Sequence, residues 1–192
     1  MRKIEQVTYE QVLKKWDKGE SIKILGIDTG IANIGWGIIE VSPNKAKIDS
    51  AGMITTTSDQ NLAERLYEIG YELEEVIQTK NPTLMAYEEL FFNKRFPNMM
   101  KTNLAVGVMI QIGWKYGLQP KNFRPQDAKY FIAESHNASK DEVAAAVAIH
   151  LGLLPNKLSD YPDHITDALA HALCYLGFLN HEKVKYKGKL SE

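Results

Sequence analysis

The sequence predicts an α/β protein: a mixed five-stranded sheet, an antiparallel meander plus parallel strands, flanked by helices. Two observations predict it. Residues 22–57 hold three strand-like runs separated only by turn residues, and from there to residue 124 helical and strand-like periods alternate. A meander gives antiparallel neighbours, whereas crossovers make the later strands parallel to the first.

Each element has its own signal. Residues 8–19 form an amphipathic helix, with Thr8 and Gln11 spaced as a capping box and Val12, Leu13 and Trp16 on one face. Residues 22–29, 34–41 and 46–57 are three strands, broken by Thr29-Gly30 and by Ser42-Pro43-Asn44. Residues 60–80 carry Leu62, Leu66, Ile69, Leu73, Val76 and Ile77 at a helical period. Pro82 opens a fourth strand, Thr83 to Tyr87, which stops at Glu88. Residues 97–117 form a second long helix containing Gly107, Gly113 and Gly117, and residues 119–124 a short fifth strand. Pro125 is suited to the first turn of a helix running to residue 134. Ser139 with Glu142 caps the next one. A loop from Pro155 to Pro162 leads to a last helix over 163–179. The lysine-rich tail from His181 to Glu192 is expected to be loose. This divides the chain into an N-terminal helical extension (1–20), one main domain (21–180) and a tail (181–192).

Composition narrows the class. With 192 residues, the chain suits one domain with a full core and is short for two. A 44% apolar and 24% charged make-up belongs to a folded globular protein rather than a disordered one. Cys174 is the single cysteine, so no internal disulfide forms and a reducing, cytoplasmic compartment is expected. The N-terminal segment has no continuous apolar region of the secretory kind, and no stretch has the length to span a bilayer. The net charge of −1 excludes a protein that is basic all over. Between residues 88 and 140, however, eight Lys and Arg oppose four Asp and Glu. That imbalance fits a local patch for a polyanion, with Lys94, Arg95 and Lys101 in it, and equally a solvated surface.

The chemistry-bearing residues are acids at element ends. Asp28 stops an apolar strand, Glu88 ends the fourth strand, and Asp167 lies in the first turns of the last helix, three residues after His164. A carboxylate at the end of a buried run is costly unless a cation or a donor meets it. Parallel strands bring Asp28 and Glu88 side by side. An oxygen-rich set of this kind suits Mg²⁺ or Mn²⁺. Two such ions about 4 Å apart can activate water and stabilise the leaving oxygen in phosphodiester hydrolysis. Taken singly, each residue has a plainer reading. Asp28 before Thr29-Gly30 is a turn former, Glu88 and Glu89 a polar strand end, Asp163 a helix cap, and His171 a packed or exposed histidine. Lys129 and Lys140 alone are surface lysines, and Phe91 and Phe92 core residues.

Four segments carry a resemblance in order and at compatible spacing: ILGIDTGIANIGWGII, PTLMAYEELFFNKR, RPQDAKYFIAESHNASKDEV and DHITDALAHAL. From Ile22 to about Asn180 the chain resembles the RuvC family of Holliday-junction resolvases, within the RNase H-like superfamily. The first segment is also similar to the RuvC-type nuclease segments of CRISPR effectors and, more loosely, to the first phosphate loop of actin-like ATPases. The resemblance implies an RNase H-like fold and metal ligands at Asp28, Glu88, His164 and Asp167, with Glu89 as the spare. His164 stands where many members have Asp. It further implies catalytic basic roles near the scissile phosphate for Lys129 and Lys140, and base stacking for Phe91 at an opened branch point. The expected cofactor is Mg²⁺ or Mn²⁺, two ions per site. The expected activity is structure-selective cleavage of four-way DNA junctions in recombination and repair.

Two-fold junction symmetry calls for a homodimer, with Gly107 and Gly113 beside Val106, Val108 and Ile110 as the candidate seam. The fold and acids do not choose among branched substrates, so flaps, forks and replication intermediates stand as the alternative. A non-catalytic junction-binding module would have no need for three clustered acids. An actin-like ATPase would need a second domain for which the chain is too short.

Overall fold

Thr8 and Gln11 close the capping box that their spacing predicts. The Gln11 amide donates to Thr8 Oγ1 at 3.2 Å and the Thr8 amide to Gln11 Oε1 at 2.7 Å, and α1 (Tyr9–Asp17) follows. The structure is a computed structural model and describes residues 7–43, 45–89 and 98–189. Three strands come next, β1 (Ile22–Asp28), β2 (Asn33–Ser42) and β3 (Lys45–Thr55), then α2 (Leu62–Lys80) and β4 (Leu84–Glu88). After α3 (Asn98–Lys115) and β5 (Pro120–Phe123) come α4 (Pro125–Ala133), α5 (Lys140–His150), a 3₁₀ turn (Lys157–Asp160) and α6 (Asp163–Lys189).

The sheet order is β3-β2-β1-β4-β5. β1 to β3 form the antiparallel meander, and β4 and β5 add parallel to β1. Side chains alternate along a strand, so each strand feeds both faces. Leu25 and Ile27 of β1 join Met85 of β4 beneath α2 and α3. Ile22 and Ile24 join Leu84 and Ala86 on the other face, beneath α1, α5 and α6. The same alternation puts Asp28 and Glu88, two positions beyond Gly26 and Ala86, on the α6 side of the sheet.

Helix α6 lies unusually close to that side. A Cβ at Gly26 would fall 1.9 Å from the Ala168 carbonyl oxygen, and one at Gly35 would fall 1.9 Å from the carbonyl oxygen of His164. Only glycine leaves room for backbone at these two points. The pairing Asp28↔Gly35 means that the second gap opens directly beside the aspartate.

Two expectations are corrected. The tail is not loose from residue 181, because α6 continues to Lys189. Lys183 anchors this extension to α1: its Nζ is 2.6 Å from Asp17 and lies over the Trp16 ring. In turn α1 buries Val12, Leu13 and Trp16 in the main core, with Val12 and Leu13 contributing about 1.5–3 kcal/mol each. The second correction concerns the seam. Gly113 is spent inside the chain, since a Cβ there would meet Met85 Sδ and Pro120 Cγ at 2.8 Å, and Val106 is buried as well. Gly107 faces open space.

Candidate metal centre

Parallel pairing of Ile27 with Tyr87 sets the next residues, Asp28 and Glu88, side by side at the C-terminal ends of β1 and β4. Asp28 is buried, 8% exposed, and burial raises its pKa against the opposing effect of a hydrogen bond from His164. His164 Nδ1 lies 2.6 Å from Asp28 Oδ2. A carboxylate can only accept, so the imidazole donates from Nδ1 and its neutral form keeps a lone pair on Nε2. Burial, then the negative charges of Asp28 and Asp167, push Glu88 up to about 7. Asp167 is raised for the same reasons, burial first and Asp28 second. Burial and mutual repulsion thus oppose full ionisation of these three carboxyls, and a nearby positive charge would relieve both.

A cavity of about 310 Å³ opens over them, lined by Asp28, Glu88, Asp167, Lys129, Lys140 and His171. Lys140 Nζ stands 3.9 Å from Asp167 Oδ2 and 3.4 Å from Asp163 Oδ2, a cation on the shoulder of the acidic cluster. The structure therefore brings together Asp28, Glu88, Asp167, Lys129 and Lys140, with His164 bonded to Asp28 at the rim, its side chain 45% exposed. Glu88 faces the cavity and Glu89 does not, since Glu89 pairs with Arg124 Nε at 3.5 Å. Asp163 points outward, its side chain 79% exposed. Lys101 is exposed in the first turn of α3 and is not among the cavity-lining residues. Phe91, Lys94 and Arg95 lie outside the described residues.

The sequence reads His171 as a packed or exposed histidine, outside the ligand set. It follows Asp167 by one helical turn, and that spacing was the only available signal. It is 4% exposed, and burial lowers its pKa to about 4, so it is neutral at physiological pH. Its Nδ1 is buried without a hydrogen-bond partner among the described residues. One ring nitrogen of His171 and one carboxylate oxygen each from Asp28 and Glu88 lie within 4.8 Å of one another. Oxygen and nitrogen donors converging from two strands and a helix, with a buried imidazole among them, fit a divalent cation.

A mixed sheet with acids at the ends of two central parallel strands and on the crossing helix defines an RNase H-like nuclease. The family model described as "Crossover junction endodeoxyribonuclease RuvC" matches residues 24–175. The chain belongs to that family. It is 35% identical over 153 residues to the crossover junction endodeoxyribonuclease RuvC of Heliobacterium modesticaldum, covering 79% of this chain and 91% of the relative. The structure of Thermus thermophilus RuvC in complex with Holliday junction substrate superposes with a TM-score of 0.74 at 27% identity, covering 84% of this chain and 97% of that one. The yeast mitochondrial Holliday junction resolvase shares the fold, with a TM-score of 0.63 at 14% identity over 93% of this chain and 92% of its own. The curated relatives are hydrolases acting on DNA, and membership of their family implies a divalent metal.

Proposed function

We propose that this protein resolves four-way DNA junctions by metal-dependent phosphodiester hydrolysis, as a C₂ homodimer that makes paired nicks. The convergence of Asp28, Glu88 and Asp167 with Lys129 and Lys140 in one open cavity carries the reading, together with membership of the family. A junction-bound relative of the same fold gives the substrate.

The proposed roles follow from position. Asp28, Glu88, Asp167 and His164 hold two divalent ions, Mg²⁺ or Mn²⁺. When bound, such ions polarise the attacking water and the scissile phosphate and steady the leaving oxygen. His164 keeps Asp28 in one rotamer through its 2.6 Å hydrogen bond. Lys140 and Lys129 line the opening, where a phosphodiester meets the site, and stabilise charge on its non-bridging oxygens. Lys101 and, outside the described residues, Lys94, Arg95 and Phe91 extend the DNA-binding surface. The dimer seam is proposed on the exposed stripe of α3, where Met100, Leu104 and Trp114 are 68%, 42% and 46% exposed and Gly107 leaves space for a close approach. The reaction is placed in recombination and repair, in the cytoplasm.

The test is a cleavage assay with Mg²⁺ or Mn²⁺ on four-way, three-way, flap and linear duplex DNA. Paired symmetric nicks in the four-way substrate are expected. Preferential cutting of flaps or forks would transfer the site to another branched substrate, and tight junction binding without any cleavage would make the protein a binding module.

A further inference from the structure

His171 sits on the cavity floor for a reason that packing does not supply. An aliphatic side chain would fill the same space without burying a polar atom that no group in the described residues satisfies, and a buried unpaired nitrogen is destabilising. One of its ring nitrogens lies within 4.8 Å of a carboxylate oxygen of both Asp28 and Glu88. The geometry points to His171 as a direct nitrogen ligand of one divalent ion, held jointly with Asp28 and Glu88. This rests on the metal-dependent reading above.

The distances allow it. Donor atoms on opposite sides of one ion are about 4.2 Å apart, twice a metal–oxygen distance of about 2.1 Å. The observed spread of up to 4.8 Å closes onto an ion with sub-ångström side-chain motion. Asp28 and Glu88 come from neighbouring strands and His171 from α6, so donors approach from separate directions. His164 occupies a different place, at the rim and bonded to Asp28. A nitrogen donor beside two carboxylates favours Mn²⁺ or Co²⁺ over Mg²⁺.

The experiment reads the metal and not the cleavage. Protein carrying ¹⁵N-labelled histidine is loaded with Mn²⁺ and the ¹⁵N hyperfine coupling is measured by pulsed electron paramagnetic resonance. In His164→Ala, an exposed-site change that leaves the core intact, the coupling is expected to persist. In the His164→Ala/His171→Leu double variant it is expected to vanish. His171→Gln should lower Mn²⁺ affinity by at least about tenfold, the loss that even outer-sphere partners produce, and Mg²⁺ affinity by less. Bound Mn²⁺ with no ¹⁵N coupling in His164→Ala overturns the assignment while leaving the nuclease reading in place. Mn²⁺ binding that is absent from the unmutated protein, or equally tight in Asp28→Asn, overturns both.

Discussion

Gly26 and Ala168 meet backbone to backbone: a Cβ on residue 26 would sit 1.9 Å from the Ala168 carbonyl oxygen. Ala168 directly follows Asp167, so this contact sets the depth at which α6 crosses β1. That depth lets Asp167 share a cavity with Asp28, two residues beyond Gly26.

Gly26→Ala is therefore expected to harm both stability and activity. The obstacle is helix backbone, which cannot swing aside, so overpacking should cost about 1–3 kcal/mol or more. Urea unfolding gives the stability. Cleavage measured where the variant is still folded should be depressed further, and full activity with unchanged stability would show that α6 need not approach so closely.

Asp28→Asn, Glu88→Gln and Asp167→Asn should each leave junction binding intact while cleavage slows about a thousandfold or more, because several kcal/mol of charge stabilisation is withdrawn. Glu89→Gln, which breaks the pair with Arg124 and leaves the cavity-lining carboxylates in place, should stay active. Single-turnover cleavage beside a gel-shift titration checks all four.

Glu88 makes ion-free stability depend on pH. Its folded pKa of about 7 lies above the unfolded value of 4.5, so the fold binds the extra proton between those limits. Its contribution is full below 4.5 and is lost as pH rises through about 7. Burial of His171, folded pKa about 4 against 6.5, acts oppositely, with stability lost as pH falls below 6.5. Glu88→Gln isolates the first effect. Without divalent ions it should raise the melting temperature at pH 8, by about 2–4 °C for each kcal/mol relieved, and leave it nearly unchanged at pH 4. An unchanged melting point at pH 8 would mean that Glu88 ionises without penalty.

His164→Asp should retain activity and shift metal preference toward Mg²⁺, since oxygen replaces nitrogen beside Asp28. His164→Ala should lose most activity. Asp163→Asn should be mild, because the exposed pair it breaks with Lys140 contributes only about 0–1 kcal/mol. Metal titrations of the cleavage rate separate the three, and an inactive Asp163→Asn beside an active His164→Ala would reverse the assignment.

Much of the architecture is legible from local chemistry. Capping pairs such as Thr8–Gln11 and Ser139–Glu142 mark helix starts because each satisfies two backbone amides within four residues. The convergence of Asp28 and Glu88 follows from crossover topology, which forces β4 parallel to β1. His171 was not legible, because an imidazole on a buried helical face looks the same in sequence whether it meets carboxylates or carbon. The role of Gly113 was hidden likewise, since only the fold reveals that Met85 and Pro120 occupy its missing side chain. The length of α6 escaped too, as the clamp of Lys183 on Asp17 joins opposite ends of the chain.

The two acidic strands, β1 and β4, are interior to the sheet, each with a hydrogen-bonded neighbour on both sides. Amides in such strands exchange with solvent only through large, cooperative openings. Asp28 and Glu88 hang from the ends of that protected unit, so the backbone positions from which their carboxylates project cannot separate without unzipping the ladder. Heat or denaturant should thus leave no window in which the molecule is folded but its acids have drifted apart, and inactivation and global unfolding should trace a single curve.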